Sequence, residues 1–196
     1  MKQYLQENLS IDEDGAILSR RRFLRNMAYG SLLTFGSPML AKASTGHIPS
    51  HKSLAFQNTH TGDKLKLTYF EQGRYIEDAL QEINYVMRDF RTGDIHPIDP
   101  ALLDQLYDLK RTLGASKPFH IISGYRSPFT NAMLRKQSHG VARKSLHMLG
   151  KAIDVRIPGV ETRVLRNAAL AMRQGGVGYY RSSDFVHLDT GYFRTW

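Results

Sequence analysis

The stretch from Ser145 to Asp154, S-L-H-M-L-G-K-A-I-D, constrains the fold of this chain more than any other part of the sequence. Gly150 lets the chain turn after His147, and the alternation of residue types over 152–157 predicts a β-strand. In that strand Asp154 lies on the face opposite to its two apolar neighbours. A carboxylate on a strand otherwise packed with apolar groups requires a cation or several hydrogen bonds.

A second motif, D-F-V-H-L-D-T-G, spans Asp184 to Gly191 and places His187 between two carboxylates. With His147 and Asp154 it offers two imidazoles and one carboxylate, the ligand types of a catalytic zinc site that keeps a fourth position open. The chain has no cysteine, so disulfide bonds and thiolate ligands are excluded. Either histidine taken alone is more often a surface residue or a satisfied core residue than a metal ligand.

The pattern Ser-x-His-x-x-Gly-x-Ala-x-Asp, followed later by Asp-x-x-His, resembles the signature of zinc peptidases that cut bacterial cell-wall peptides. That group comprises D,D-carboxypeptidases, D-Ala-D-Ala dipeptidases and endolysins. Four motifs in the same order resemble the murein endopeptidase K-like family within it. They are S-G-Y-R-S from Ser123, the segment from His147 to Asp154, G-G-V-G-Y-Y from Gly175 and F-V-H-L-D-T-G from Phe185. The resemblance covers residues 50–196.

The resemblance implies that His147, Asp154 and His187 bind one zinc ion and that a nearby carboxylate acts as the general base. Asp184, three residues before His187, matches the carboxylate of relatives with Asp-x-x-His or Glu-x-x-His and is the predicted base. Asp189 is its rival, because it lies on the same strand face as His187. The alternative role of Asp189 is a hydrogen-bond acceptor that orients an imidazole N–H.

Further residues of the cleft follow from the same resemblance. It implies that Arg126 contacts the oxyanion of the reaction or a carboxylate of the substrate. Spacing alone equally allows a surface arginine paired with a carboxylate. Ser145 and Tyr125 are expected in the cleft without an assigned role. His139, in the polar loop before the metal-binding segment, can approach the cleft but is not a predicted ligand.

The N-terminal segment resembles a twin-arginine export signal, with S-R-R-R-F-L-R from Ser19 to Arg25. A moderately apolar run from Met27 to Leu40 follows, and A-K-A ending at Ala43 is a small-x-small cleavage site. The apolar run is too short and too interrupted to span a bilayer stably. We therefore expect residues 1–43 to be a signal peptide read by the twin-arginine export machinery, and a periplasmic mature chain without stable membrane insertion. The alternative is a retained basic or membrane-anchoring helix.

The predicted fold class of the mature chain is α+β. We expect a small antiparallel sheet carrying the zinc site, helices packed on one side of it, and an N-terminal β-hairpin over 53–70. Residues 44–52 are predicted to be a linker and 53–196 the zinc metallopeptidase domain. Apolar spacing and caps such as Asp99-Pro100 and Ser127-Pro128 predict helices over 77–91, 99–113, 127–136 and 161–174.

The expected function is that of an exported zinc-dependent murein endopeptidase that hydrolyses peptide cross-links of peptidoglycan, between diaminopimelate residues. The alternatives are a D,D- or L,D-carboxypeptidase acting on the same stem peptides, or a non-catalytic cell-wall-binding module. The formal net charge of +9 would also suit nucleic acid. The basic residues are scattered, however, and the export signal argues against that partner. We expect a monomer whose partner is the peptidoglycan stem peptide.

The export prediction can be tested by replacing Arg20 and Arg21 together with Lys. The variant is expected to hold the precursor in the cytoplasm, because the twin-arginine machinery reads this pair. The measurement is an immunoblot of cytoplasmic and periplasmic fractions for precursor and processed chain. Arg25→Lys keeps the pair and serves as the matched control. Normal periplasmic processing of the double variant would contradict the prediction.

Overall fold

The computed structural model describes residues 50–138 and 140–196. The predicted signal peptide, most of the predicted linker and His139 lie outside the described residues, so the predictions made for them stay predictions. Strand β1 begins at His51, within the last residues of the predicted linker.

Eight strands form one sheet with the spatial order β3-β2-β1-β4-β5-β7-β6-β8. Most neighbours are antiparallel, but β1 pairs with β4, and β6 with β8, in parallel. The strands are β1 (His51–Asn58), β2 (Lys64–Glu71), β3 (Arg74–Tyr75), β4 (Phe119–Ser123), β5 (Ala152–Arg156), β6 (Gly176–Tyr180), β7 (Phe185–Asp189) and β8 (Arg194–Thr195).

The prediction of a small antiparallel sheet is wrong, because the sheet is mixed and has eight strands. The predicted N-terminal hairpin forms as β1 and β2, which are antiparallel. It belongs to the same sheet as the candidate metal site, because Phe56 to Asn58 pair in parallel with Phe119 to Ile121. Parallel pairing joins segments that are distant in sequence, and no local alternation of residues signals it.

Within the described part of the chain, four α-helices accompany the sheet: α1 (Glu77–Val86), α2 (Pro100–Thr112), α3 (Pro128–Gln137) and α4 (Thr162–Met172). Two begin at the predicted caps, since the Asp99 carboxylate accepts from the N–H of Ala101 and the Ser127 hydroxyl accepts from the N–H of Thr130. Along the stretches that the structure describes, no helix combines the length and the apolar character needed to cross a lipid bilayer.

Helix α1 ends at Val86, earlier than the predicted Arg91. The next residue, Met87, leaves the helical conformation, and its carbonyl accepts a hydrogen bond of 2.8 Å from the N–H of Tyr125. Asp89 is buried and accepts from the N–H groups of Arg91 and Ser127. The segment after α1 therefore binds the loop after β4 instead of continuing the helix.

The hydrophobic core lies on one face of the sheet. Alternation along β5 and β7 sends every second residue into that core and leaves the intervening residues, including Asp154 and His187, on the opposite face. Helices α1, α2 and α4 cover the apolar face. The core residues they share with β5 and β7 include Ile83, Leu102, Leu106, Leu165, Ile153, Val155, Val186 and Leu188.

We expect Leu106→Ala to lower the free energy of unfolding by about 2–5 kcal/mol, because the Leu106 side chain is completely buried and its removal leaves a cavity. Val164→Ala is the control, since Val164 is 45% exposed on a neighbouring helix. Its effect should stay within about 0.5 kcal/mol. Urea denaturation followed by circular dichroism measures both. Equal changes in the two variants would contradict the assigned core.

Candidate metal centre

Three buried side chains converge on the face of the sheet opposite to the core: His147, Asp154 and His187. His187 Nδ1 lies 2.8 Å from Asp154 Oδ1 and 3.2 Å from His147 Nε2, and His147 Nε2 lies 3.3 Å from Asp154 Oδ1. Donor atoms about 2.0 Å from a tetrahedral metal ion are roughly 3.3 Å apart. The spacing of these atoms therefore fits a metal ion of that kind.

Strand pairing brings Asp154 and His187 together. The two residues are direct partners in the antiparallel pair β5–β7, so their side chains share one face. His147 comes from a short 3-10 helix, Leu146–Leu149, that leads into β5. The hydroxyl of Ser145 caps this helix by accepting from the N–H of His147. The predicted convergence of the three residues is thus present in the structure.

Gly150 ends the 3-10 helix in the left-handed conformation, with φ of 65°. A side chain here would be strained by that conformation and would also collide with the carbonyl oxygen of Pro97. The Gly150 carbonyl accepts from the N–H of Asp99, and the His147 carbonyl accepts from the N–H of Arg126. Main-chain hydrogen bonds thus fix the segment that carries His147.

Each histidine is oriented through its second ring nitrogen. His147 Nδ1 donates to the carbonyl of Gly124 at 2.8 Å, and His187 Nε2 donates to Asp189 Oδ2 at 3.1 Å. Because a carbonyl and a carboxylate can only accept, His147 Nδ1 and His187 Nε2 each carry a proton. His147 Nε2 and His187 Nδ1 are therefore the ring nitrogens that would bind a metal ion beside Asp154.

Asp189 is a completely buried acceptor. In addition to His187 it accepts from both terminal nitrogens of Arg194, at 3.0 and 2.7 Å, and from the N–H groups of Gly176 and Gly191. Burial alone would raise the pKa of Asp189, but the hydrogen bonds from His187, Arg194 and Gly191 outweigh it and hold that pKa well below its usual range. Asp189 therefore orients an imidazole and is a poor proton acceptor.

The structure does not bring Asp184 to the cluster or to the cleft over it, whereas the sequence predicted it there as general base. Its backbone is left-handed, with φ of 52°, and its carboxylate accepts from the Thr162 hydroxyl at the start of α4. A second contact, of 3.3 Å, joins it to Arg156, and its side chain is 61% exposed. A spacing of three residues before His187 does not determine where the side chain of Asp184 points.

A cleft of about 500 Å³ opens over the cluster. Arg126 lines it as predicted, with its Nη2 atom 3.5 Å from Asp154 Oδ2. Ser145 also lines it. Tyr125 does not, which corrects the prediction: its ring stacks on that of His96 with centroids 4.7 Å apart and packs against the core.

The cleft residues that sequence reasoning missed include Lys144, Tyr180 and Trp196. Trp196 is the only tryptophan of the chain, which was an available signal. Tyr180 ends the motif G-G-V-G-Y-Y, which contributed to the family resemblance but received no role. Among the cleft-lining residues within 50–138 and 140–196, Asp154 is the only carboxylate.

Comparison with known proteins gives one family. A family model described as peptidoglycan L,D-endopeptidase MepK matches residues 47–196. The chain is 45% identical over 180 residues to peptidoglycan L,D-endopeptidase MepK of Escherichia coli (strain K12), covering 91% of this chain and 97% of that protein. It is 43% identical over 159 residues to the probable peptidoglycan L,D-endopeptidase MepK of Haemophilus influenzae, covering 81% of this chain and 84% of that protein. No solved structure matches the chain.

We expect Asp189→Asn to weaken zinc binding about 10–100-fold, because the amide is a weaker acceptor for His187 and leaves Arg194 unpaired. Asp184→Asn makes the same change of charge away from the cluster and should leave the affinity unchanged. Competition with a chromophoric chelator measures both dissociation constants. Equal losses in the two variants would show that the affinity responds to overall charge and not to the orientation of His187.

Proposed function

The chain belongs to the peptidoglycan L,D-endopeptidase MepK family of M15 peptidases, and we propose that it is an exported, zinc-dependent enzyme that cuts cross-links between diaminopimelate residues. Its activity as a peptidoglycan endopeptidase follows from the family. The observation that supports a metal-dependent reaction is the buried cluster of His147, Asp154 and His187 beneath an open cleft.

The donor set favours zinc as the metal. Two imidazole nitrogens and one carboxylate oxygen suit zinc, and a site with three protein ligands leaves a coordination position for the reaction. The hydrogen bonds from His147 to Gly124 and from His187 to Asp189 support the same choice, because zinc-binding histidines usually carry such partners. Zinc bound there would act as a Lewis acid that makes water more acidic and polarises the scissile carbonyl.

We propose that Arg126 binds a negatively charged group of the substrate. Its side chain is largely buried at the edge of the cluster. Among residues 50–138 and 140–196, its polar partners contact only the Nη2 atom: Ser123 Oγ at 3.4 Å and Asp154 Oδ2 at 3.5 Å. Arg126 Nε is buried, so a terminal N–H of the guanidinium would be the group that meets a substrate carboxylate or an oxygen that gains charge during the reaction. Either contact would hold the peptide against the metal site.

The charge of the cleft fits a peptide that carries carboxylates. Arg126 and Lys144 line it, Arg194 adds a third cation paired with Asp189, and Asp154 is committed to the metal cluster. Peptidoglycan stem peptides carry free carboxylates beside their cross-links, so the cleft and the substrate are complementary. A non-catalytic wall-binding module would not need a complete ligand set, which argues against that alternative.

We also propose that the enzyme is exported. We assign residues 1–43 to a twin-arginine signal cleaved near Ala43 and residues 53–196 to the catalytic domain, which places the mature enzyme in the periplasm beside its substrate. The sequence S-R-R-R-F-L-R from Ser19 supports the route, and the relatives named as peptidoglycan endopeptidases support the destination.

The enzyme is expected to convert purified cross-linked muropeptide dimers to monomers by cutting between the two diaminopimelate residues. His147→Ala removes a metal ligand and should abolish cleavage, as should a zinc chelator, and re-addition of zinc should restore the chelated enzyme. His51→Ala removes an exposed histidine on β1 and should cleave normally.

Mass spectrometry of the digests identifies the bond. Release of a terminal amino acid without loss of dimers would show a carboxypeptidase instead. Full cleavage by His147→Ala, or in the presence of chelator, would contradict the metal-dependent mechanism. Intact dimers after prolonged digestion with the zinc-loaded wild type would refute the proposed substrate.

A further inference from the structure

Tyr180 lies on the same face of the sheet as the metal cluster. In the antiparallel pair β6–β7, Gly178 is opposite His187 and Tyr180 is opposite Phe185. Directly opposed residues share a face, and so do residues two apart on a strand, so Gly178 and Tyr180 both face the site. Tyr180 accordingly lines the cleft together with the three proposed ligands.

Trp196 bridges the distance between His187 and Tyr180. Its ring lies over Gly178, where an added Cβ would come within 2.6 Å of Trp196 Cε2, and its centroid is 5.1 Å from that of His187. The indole Nε1–H donates to the Tyr180 hydroxyl at 2.9 Å. Main-chain hydrogen bonds to β6, through Tyr179 N–H and Trp196 N–H, hold the tryptophan in this place.

This arrangement orients the Tyr180 hydroxyl as a donor. An indole N–H can only donate, so the phenol oxygen accepts and keeps its own hydrogen for another acceptor. Within the described residues that hydroxyl makes no second hydrogen bond. Its ring is stacked on that of Phe185, with centroids 4.5 Å apart, which restricts its rotation. The result is an oriented hydroxyl donor on the wall of the cleft.

A hydroxyl donor in this position can stabilise charge that develops on the substrate. Arg126 is the cation at the edge of the cluster, and the carboxylates considered as proton acceptors are either bound to several donors, as Asp189 is, or lie elsewhere, as Asp184 does. A peptide carbonyl that becomes an oxyanion is stabilised by donors that are already in position, and a pre-oriented hydroxyl meets that requirement.

We propose that Tyr180 is a catalytic residue whose hydroxyl donates a hydrogen bond to the carbonyl oxygen of the scissile peptide, and that Trp196 is the positioning residue that holds it. The inference rests on the proposed function and adds a second contact to the substrate beside that of Arg126. The bond strengthens as negative charge develops on the carbonyl oxygen, so it acts mainly on the rate of the chemical step.

The first test compares Tyr180→Phe with Tyr179→Phe. Tyr179 is the preceding residue of β6, packs against the core and is the matched control. On purified muropeptide dimers, Tyr180→Phe is expected to lower kcat about 10²–10³-fold with little change in KM, because one pre-oriented donor to the oxyanion is lost. Tyr179→Phe should keep the wild-type kcat, and both variants should keep the wild-type zinc content and melting temperature.

A fall in kcat of twofold or less in Tyr180→Phe would overturn the proposal and leave an aromatic wall without a catalytic hydroxyl. Loss of zinc from Tyr180→Phe would also overturn it, since the residue would then support the metal site.

The second test asks whether Trp196 acts through the hydroxyl. Trp196→Phe keeps an aromatic ring but removes the indole donor, and should lower kcat by a smaller factor than Tyr180→Phe. If it acts only by orienting that hydroxyl, the double variant will be no slower than Tyr180→Phe alone. Multiplied losses in the double variant would refute the positioning role.

The third test does not depend on activity. Trp196 is the only tryptophan, so the fluorescence of the protein excited at the indole band reports on this contact directly. Tyr180→Phe removes the acceptor of the indole N–H of Trp196, which is 49% exposed, and should change its emission, whereas Tyr179→Phe should not. Unchanged emission in Tyr180→Phe would overturn the inference, while a wild type inactive on muropeptides would instead count against the proposed function.

Discussion

The pairing of Asp154 with His187 across strands β5 and β7 is the interaction on which the site depends. Burial alone would raise the pKa of Asp154, but the neighbouring His147 and His187 outweigh it and hold that pKa well below its usual range. A carboxylate at this depth is tolerated only with such partners. A shift of one residue in the register would turn His187 into the core and leave the carboxylate without them, so the sheet is committed to a single pairing.

Local sequence patterns predicted where helices begin better than they predicted the size of the sheet. Asp99-Pro100 and Ser127-Pro128 marked helix starts because a cap and a first-position proline act within one turn. The end of α1 was misjudged because Phe90 fits the helical spacing, while the loop at Tyr125 takes the carbonyl of Met87. The parallel pairing of β1 with β4 depends on residues far apart in sequence, so the size of the sheet could not be predicted.

At the candidate site, too, local patterns were predictable from the sequence and long-range contacts were not. The convergence of His147, Asp154 and His187 was predictable, because a turn and strand alternation bring them to one face. The position of Asp184 was not, since a residue just before a strand can take several backbone conformations and this one is left-handed. The contact between Trp196 and Tyr180 depends on how the last residues fold back over Gly178, and no spacing in the sequence encodes that path.

The main-chain hydrogen bonds around the cluster have a consequence for how such an enzyme can diversify. Tyr125 N–H binds the carbonyl of Met87, Arg126 N–H that of His147, and Asp99 N–H that of Gly150. Every residue type except proline offers these groups, so side chains along the cleft can be exchanged by mutation while the metal-binding frame stays in place. Descendants of one ancestral chain could thus acquire preferences for different peptides, and a laboratory library could randomise the cleft wall on the same frame.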